Sequence, residues 1–110
     1  MTDDRTNVEK LIETTGGPRI LMALLQSGPN YIHGIHYDIR LSSATIKRTI
    51  PLLLELKLVK QVPAPRTVIH AEEFYELTAI GQEVAVLIRK CYDGVTQIIA
   101  SHGKSARYSD

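Results

Sequence analysis

The sequence predicts a mainly α-helical domain carrying one small β-hairpin. Three observations point there. Apolar residues recur at three- and four-residue intervals along most of the chain. Leu58 to Val62 reads instead as a strand, followed by a Pro63-Ala64-Pro65 loop and a returning strand within 68–77. From Thr78 onward a single apolar stripe runs to Ile99.

Gly16-Gly17-Pro18, Ser27-Gly28-Pro29-Asn30 and Leu41-Ser42-Ser43 divide the first half into short pieces. A first helix is expected near Arg5 to Thr15, with Val8, Leu11 and Ile12 on one face. A second runs from about Pro18 to Gln26, because proline suits a first helical turn where its missing N–H is not needed. Gly28 is expected to close it in a left-handed conformation. Asn30 is a good N-cap for a third helix reaching about Ile39, with Ile32, Ile35 and Ile39 inward. Ser42 or Ser43 caps a fourth, through Ile46, Ile50, Leu53 and Leu54 to about Leu56. After the hairpin, whose returning strand centres on Glu73 to Leu77, Thr78 caps a last helix ending near Ser101. This gives one domain over 1–102, with a core at 18–81, a last helix at 82–102 and a polar, frayed tail at 103–110.

The 110 residues are 44% apolar and 23% charged, which fits one folded domain and argues against disorder. No apolar run approaches the ~18 residues of a membrane span. The acidic N-terminus leads into no apolar secretory segment. Cys91 is the one cysteine, which excludes an internal disulfide and a cysteine-rich zinc site and makes a reducing cytoplasm the expectation. Gly-rich phosphate loops, His-Glu-x-x-His and Gly-x-Ser-x-Gly are missing from the sequence, so an enzyme is not expected, nor a cofactor. His33 and His36 lie three apart on a helix, but a metal site needs three or four ligands, so they read as surface histidines.

The net charge of +1 says little, but its distribution says more. Between Tyr31 and His70, Arg40, Lys47, Arg48, Lys57, Lys60 and Arg66 face only Asp38 and Glu55, a segment of +4 in a remainder of −3. A basic middle between acidic ends suits one nucleic-acid face.

Two short helices joined by a tight turn and followed at once by a hairpin carry a resemblance. Ile35-His36-Tyr37-Asp38-Ile39-Arg40-Leu41-Ser42, Ser43-Ala44-Thr45-Ile46-Lys47-Arg48-Thr49-Ile50, Leu53-Leu54-Glu55-Leu56-Lys57-Leu58-Val59 and Tyr75-Glu76-Leu77-Thr78-Ala79-Ile80-Gly81 stand in order and at the right separations. Over 18–81 the chain resembles the prokaryotic winged helix-turn-helix transcriptional regulators of the MarR, ArsR and PadR type. The resemblance implies a winged helix with added first and last helices, binding double-stranded DNA. The helix from Ser43 would lie in the major groove and the hairpin, or wing, would touch the minor groove or the backbone.

The residues themselves agree with that use. Ser42, Ser43, Ala44 and Thr45 are small and let the backbone approach phosphates. Lys47 and Arg48 follow on the face opposite Ile46 and Ile50, and Arg48 has the fork that guanine accepts in a bidentate contact. Thr45 and Thr49 are expected to touch a thymine methyl or a phosphate. Arg40, Lys60 and, at the hairpin tip, Arg66 complete the candidate contacts, with His70 beside the tip. The family often has glycine where Arg40 and Lys57 stand here. Neither favours positive φ, so a different turn backbone is expected, with the two cations serving phosphate instead. Pro51 should bend or break its helix.

The last helix is too long for one winged-helix core, so part of its stripe needs a second surface. Val84, Leu87, Ile88, Cys91, Val95 and Ile98 are the candidate homodimer interface, with help from the first helix. Cys91 reads as packing. A small-molecule effector would fit between the last helix and the core, although the sequence marks no pocket. Two other readings stand beside the dimeric repressor: a protein-interaction module using Leu52-Leu53-Leu54-Glu55-Leu56 as a sticky face, and a non-specific chromatin-like DNA binder.

Overall fold

The structure, a computed structural model, describes residues 4–65 and 73–108, with side chains for 5–65 and 73–102. The elements follow in the expected order: α1 (Asp4–Glu13), α2 (Gly17–Ser27), α3 (Ile32–Ile39), α4 (Ser43–Glu55), β1 (Val59–Val62), β2 (Phe74–Leu77) and α5 (Ala79–Tyr108). The apolar stripes meet in one core. Ile20, Leu21 and Leu24 of α2, Ile35 of α3, and Ile46, Ile50 and Leu53 of α4 are buried there with Leu58, Val59, Tyr75, Leu77 and Ala85. Helix α2 is the axle: α3, α4, β2 and the start of α5 all pack on it.

The strands pair antiparallel, Val59 opposite Leu77 and Val62 opposite Phe74. Asn30 adds an isolated bridge to β2. Its N–H donates to the Tyr75 carbonyl at 3.0 Å and its carbonyl accepts from Tyr75 N–H at 2.8 Å. Asn30 is therefore not the N-cap expected for α3, whose cap position is Tyr31, with no side-chain bond. The Asn30 side chain turns back on itself: Oδ1 accepts from Tyr31 N–H at 2.9 Å and Nδ2 donates to Asp38 Oδ2 at 3.3 Å. Gly34 leaves room for it, since a Cβ there would fall 1.9 Å from that Oδ1.

Two caps are as expected. Ser42 Oγ accepts from Thr45 N–H at 3.1 Å at the start of α4. Thr78 Oγ1 accepts from Gly81 N–H at 2.9 Å at the start of α5, and donates to the Lys57 carbonyl at 2.7 Å. Gly28 closes α2 at φ 80°, ψ −166°, which is positive φ but not the left-handed helical region; essentially only glycine adopts it.

The turn backbones differ from expectation in the opposite sense to the one the residue types suggested. Arg40 and Lys57 both sit at positive φ, 58° and 61°, where glycine is the usual occupant. Each is followed by a packed leucine. Leu41 lies against the α1–α2 corner, so close to Gly16 that a Cβ there would fall 2.2 Å from its side chain. After Lys57, Leu58 is buried and donates back to the Leu53 carbonyl at 3.0 Å.

Pro51 neither breaks nor ends α4, which is continuous from Ser43 to Glu55. The proline is exposed, so water can serve the Lys47 carbonyl that loses its helical donor. Helix α5 also continues past Ser101 to Tyr108, taking in most of the stretch read as a tail. Apart from Gly103, residues 102–108 hold nothing that opposes a helix.

Helix α5 spans about 45 Å at 1.5 Å per residue. Among the residues whose side chains are described, its start is the packed part: Gly81 and Ala85 are buried, and no residue from Arg89 to His102 is. Leu87 and Ile98 are 68% and 60% exposed. No helix among the described residues is long and apolar enough to cross a membrane.

Two substitutions test this account of the junctions. Lys57→Gly relieves the left-handed strain and is expected to stabilise the fold by about 1 kcal/mol. Gly81→Ala would place a Cβ 1.9 Å from the Leu58 carbonyl oxygen and should destabilise it strongly. Thermal unfolding of both variants checks the opposite signs.

Candidate nucleic-acid interface

Burial of Ile46, Ile50 and Leu53 decides which side of α4 turns outward. Lys47 and Arg48 fall between these positions and are exposed, as are Ser42, Ala44 and Arg40 at the turn; Ser43 and Thr45 are half-buried. Arg40, Ser42 and Arg48 thus ring the start of α4, on the side away from the core. Ser42 Oγ and Thr45 Oγ1 lie 2.7 Å apart, and Arg48 Nη2 donates to Thr45 Oγ1 at 3.5 Å.

Thr49 is the exception among the expected contacts. It is 3% exposed, and its hydroxyl donates to the carbonyls of Thr45 at 2.8 Å and Thr15 at 3.1 Å. It faces the core side of α4 and ties that helix to the end of α1. A threonine is as ready to satisfy its hydroxyl on nearby carbonyls as on a ligand.

Arg19 was not anticipated. This exposed α2 residue reaches the C-terminus of α3 and donates to the Ile39 carbonyl. A cation there offsets the negative helix end and braces the turn. Its partner lies 20 residues away, so no local pattern signals it. His36 braces the same turn from inside: its Nδ1 meets the Leu41 carbonyl. His33 stands edge-on to Tyr31. Among the described residues no three His, Cys, Asp or Glu side chains gather as a metal site would require.

At the hairpin, Lys60 pairs with Glu76 across the strands at 3.3 Å. Both are partly exposed, so the pair leaves the cation near the surface but half-neutralised. Arg66 and His70 lie outside the described residues. A hollow of about 230 Å³ is bordered by Ile32, His33, Lys47, Glu73 and Tyr75. In its wall Tyr75 O–H donates to Glu73 Oε2 at 2.9 Å. Burial first, then that bond and the Glu73 charge, push the phenol up to about 12.

A second surface lies on the far side. Val8, Leu11 and Ile12 of α1, Leu56 and Leu58 at the end of α4, and Val84, Leu87, Ile88 and Cys91 of α5 line an open groove of about 790 Å³. Of the expected interface, Val84 and Ile88 are half-buried against the chain's own core, whereas Leu87, Cys91, Val95 and Ile98 are exposed. The leucine run of α4 is not a free sticky face. Leu53 is fully buried, Leu52 and Leu56 are half-buried, and Leu54 alone is exposed.

The arrangement is shared with known proteins. A double mutant of Lactococcus lactis ZitR in apo form superposes at TM-score 0.71 and 17% identity, over 96% of this chain and 84% of that one. The fold is a winged helix-turn-helix. In it, α3 and α4 are the helix-turn-helix, and β1 and β2 form the wing. The adhesin competence repressor AdcR of Streptococcus pyogenes matches at TM-score 0.66 and 17% identity, over 79% of this chain and 61% of that one. Staphylococcus aureus MarR, solved with salicylate and kanamycin, matches at 0.65 and 18%, over 88% and 63%. The chain thus spans most of the apo ZitR chain but about three-fifths of the other two. No family model matches the sequence, and no curated protein does.

The raised Tyr75 phenol predicts a pH effect on stability. The folded state holds the proton more tightly than an unfolded tyrosine near 10. The stability this confers is complete below pH 10 and is lost as the pH climbs toward 12. Urea unfolding at pH 9, 10 and 11 should show a steeper loss in the wild type than in Tyr75→Phe.

Proposed function

We propose that this chain is a transcription regulator that binds double-stranded DNA as a homodimer and represses by occluding its site. The observation that carries the reading is the placement of Lys47 and Arg48 side by side on the outer face of α4, just after the small residues Ser42, Ser43 and Ala44. A helix presented in this way fits the major groove, with its first turns against the base edges. Arg40 and Lys47 supply phosphate contacts, Arg48 reads a base, and the wing adds Lys60 and Arg66 at the backbone or minor groove. Thr49 has no part in it.

The neighbours support this reading. ZitR is described as a zinc-responsive MarR family member, AdcR as a repressor, and MarR was solved with small molecules bound. They also support an effector, metal or small molecule, acting on this chain in a prokaryotic cytoplasm. The mode of action is binding, with no catalytic step.

The dimer reading rests on α5. Leu87, Val95, Ile98 and Ile99, with Val8 and Ile12 of α1, form an apolar surface that a monomer leaves wet. Covering it is worth on the order of 1 kcal/mol for each half-exposed side chain. A second copy is the simplest occupant of both the groove and the bare half of α5. Its two recognition helices would then address half-sites about one DNA turn apart, roughly 34 Å, in a palindrome.

Sequences selected from a random duplex pool test the DNA reading. Arg48→Ala is expected to weaken the selected duplex by about 10- to 100-fold. Wild-type affinity should fall steeply with added salt. A salt slope without sequence preference would point to the chromatin-like reading, and no duplex binding at low salt would sink the regulator altogether. Light scattering on size-separated protein tests the dimer: wild type should run at twice the chain mass and Leu87→Glu/Ile98→Glu at the monomer mass.

A further inference from the structure

Arg48 has one hydrogen-bond partner among the described residues, the Thr45 hydroxyl at 3.5 Å. No carboxylate among the described residues pairs with it. A guanidinium only donates, so Thr45 Oγ1 is the acceptor. That oxygen is itself held, 2.7 Å from Ser42 Oγ. Ser42 Oγ is fixed in turn by the N–H of Thr45 at 3.1 Å. A chain of three side chains therefore runs from the helix cap to the exposed cation.

From this chain we infer that Thr45 is a positioning residue: it holds the Arg48 fork for guanine and makes no base contact through its own hydroxyl. The inference rests on the DNA-binding reading and names what sets its specificity. Thr45 Oγ1 accepts from Arg48, and the hydroxyls of Ser42 and Thr45 share a hydrogen bond in which either oxygen can donate. The start of α4 thus presents the Arg48 fork, and the base edge that accepts a two-pronged donor is that of guanine, with N7 and O6. A free arginine side chain loses rotamer freedom on docking, and a tether at its tip reduces that loss.

The test uses full-length wild type, Thr45→Val, Thr45→Ser and Arg48→Ala against a selected duplex and copies in which single guanines are replaced by 7-deazaguanine. Valine matches threonine in shape, and the Thr45 N–H that bonds Ser42 survives the change. The wild type should lose about tenfold or more at one guanine. In Thr45→Val that discrimination should shrink to the small factor left in Arg48→Ala, with the salt slope unchanged, and Thr45→Ser should restore it. Nitrogen-15 relaxation of Arg48 Nε, without DNA, should show lower order in Thr45→Val and recovery in Thr45→Ser. Thr45→Ala, read the same way, replaces valine if thermal unfolding shows that valine is not accommodated. Wild-type discrimination persisting in the variant overturns the inference while leaving the DNA reading intact. If the wild type binds no duplex, both fall together.

Discussion

The outer face of α4 exists because its inner face is spent. Ile46, Ile50 and Leu53 are buried against α2 and the base of the wing, and at 3.6 residues per turn the positions one or two beyond a buried residue point away. Lys47 and Arg48 occupy two of those positions. Thr49, next in line, falls back on the core side and anchors there to Thr15. The rotation of α4 about its own axis is thus set by packing, with one hydrogen bond to a corner 34 residues away acting as a stop. A large-to-small change in this stripe would cost a few kcal/mol of stability and would also loosen the aim of the cations, although none of these residues is near a ligand.

The turn before α4 is held from three sides. Arg19 caps the end of α3 from outside, His36 meets the Leu41 carbonyl from within, and the Gly16 corner leaves just enough room for the Leu41 side chain. At the other end, Thr78 bonds the Lys57 carbonyl and Gly81 lies against Leu58, so α5 leaves the core at an angle set by backbone contacts. In the proposed dimer this junction matters more than the interface itself. The distance between two recognition helices depends on how rigidly each α4 is joined to its α5, and the joint here is made of a cap and a glycine contact rather than a loop.

Elements whose cause is local were legible in the sequence. Ser42 and Thr78 cap because a hydroxyl three residues before a free N–H has little else to do. The stripes of α2, α4 and α5 follow from period alone, as does the exposure of Lys47 and Arg48. What escaped has distant causes. Asn30 is a plausible cap, yet Tyr75, 45 positions on, recruits its backbone into the sheet. Thr49 looks like its neighbour Thr45, but it lies three residues after Ile46 and four before Leu53 on the buried stripe, where its hydroxyl reaches Thr15. Arg19 acts on a carbonyl that its own helix does not contain. Pro51 looked like a break, because its place on the wet side of α4 depends on the tertiary arrangement.

The positive φ values of Arg40 and Lys57 bear on how strain relates to use. Each costs on the order of 1 kcal/mol relative to glycine, and each carries a cation that glycine would lack. Strain of this kind often marks a functional position, but here the same strain occurs on two different faces. Arg40 stands beside Ser42 and Arg48 at the start of α4. Lys57 stands at its far end, on the rim of the groove between α1 and α5. At both places the left-handed residue is followed by a packed leucine, Leu41 against Gly16 and Leu58 in the core. Backbone conformation therefore does not distinguish a phosphate contact from a packing corner. The surroundings do: Arg40 lies exposed two residues before the Ser42 cap of α4, at the proposed DNA face, and Lys57 lines the groove of the proposed dimer face.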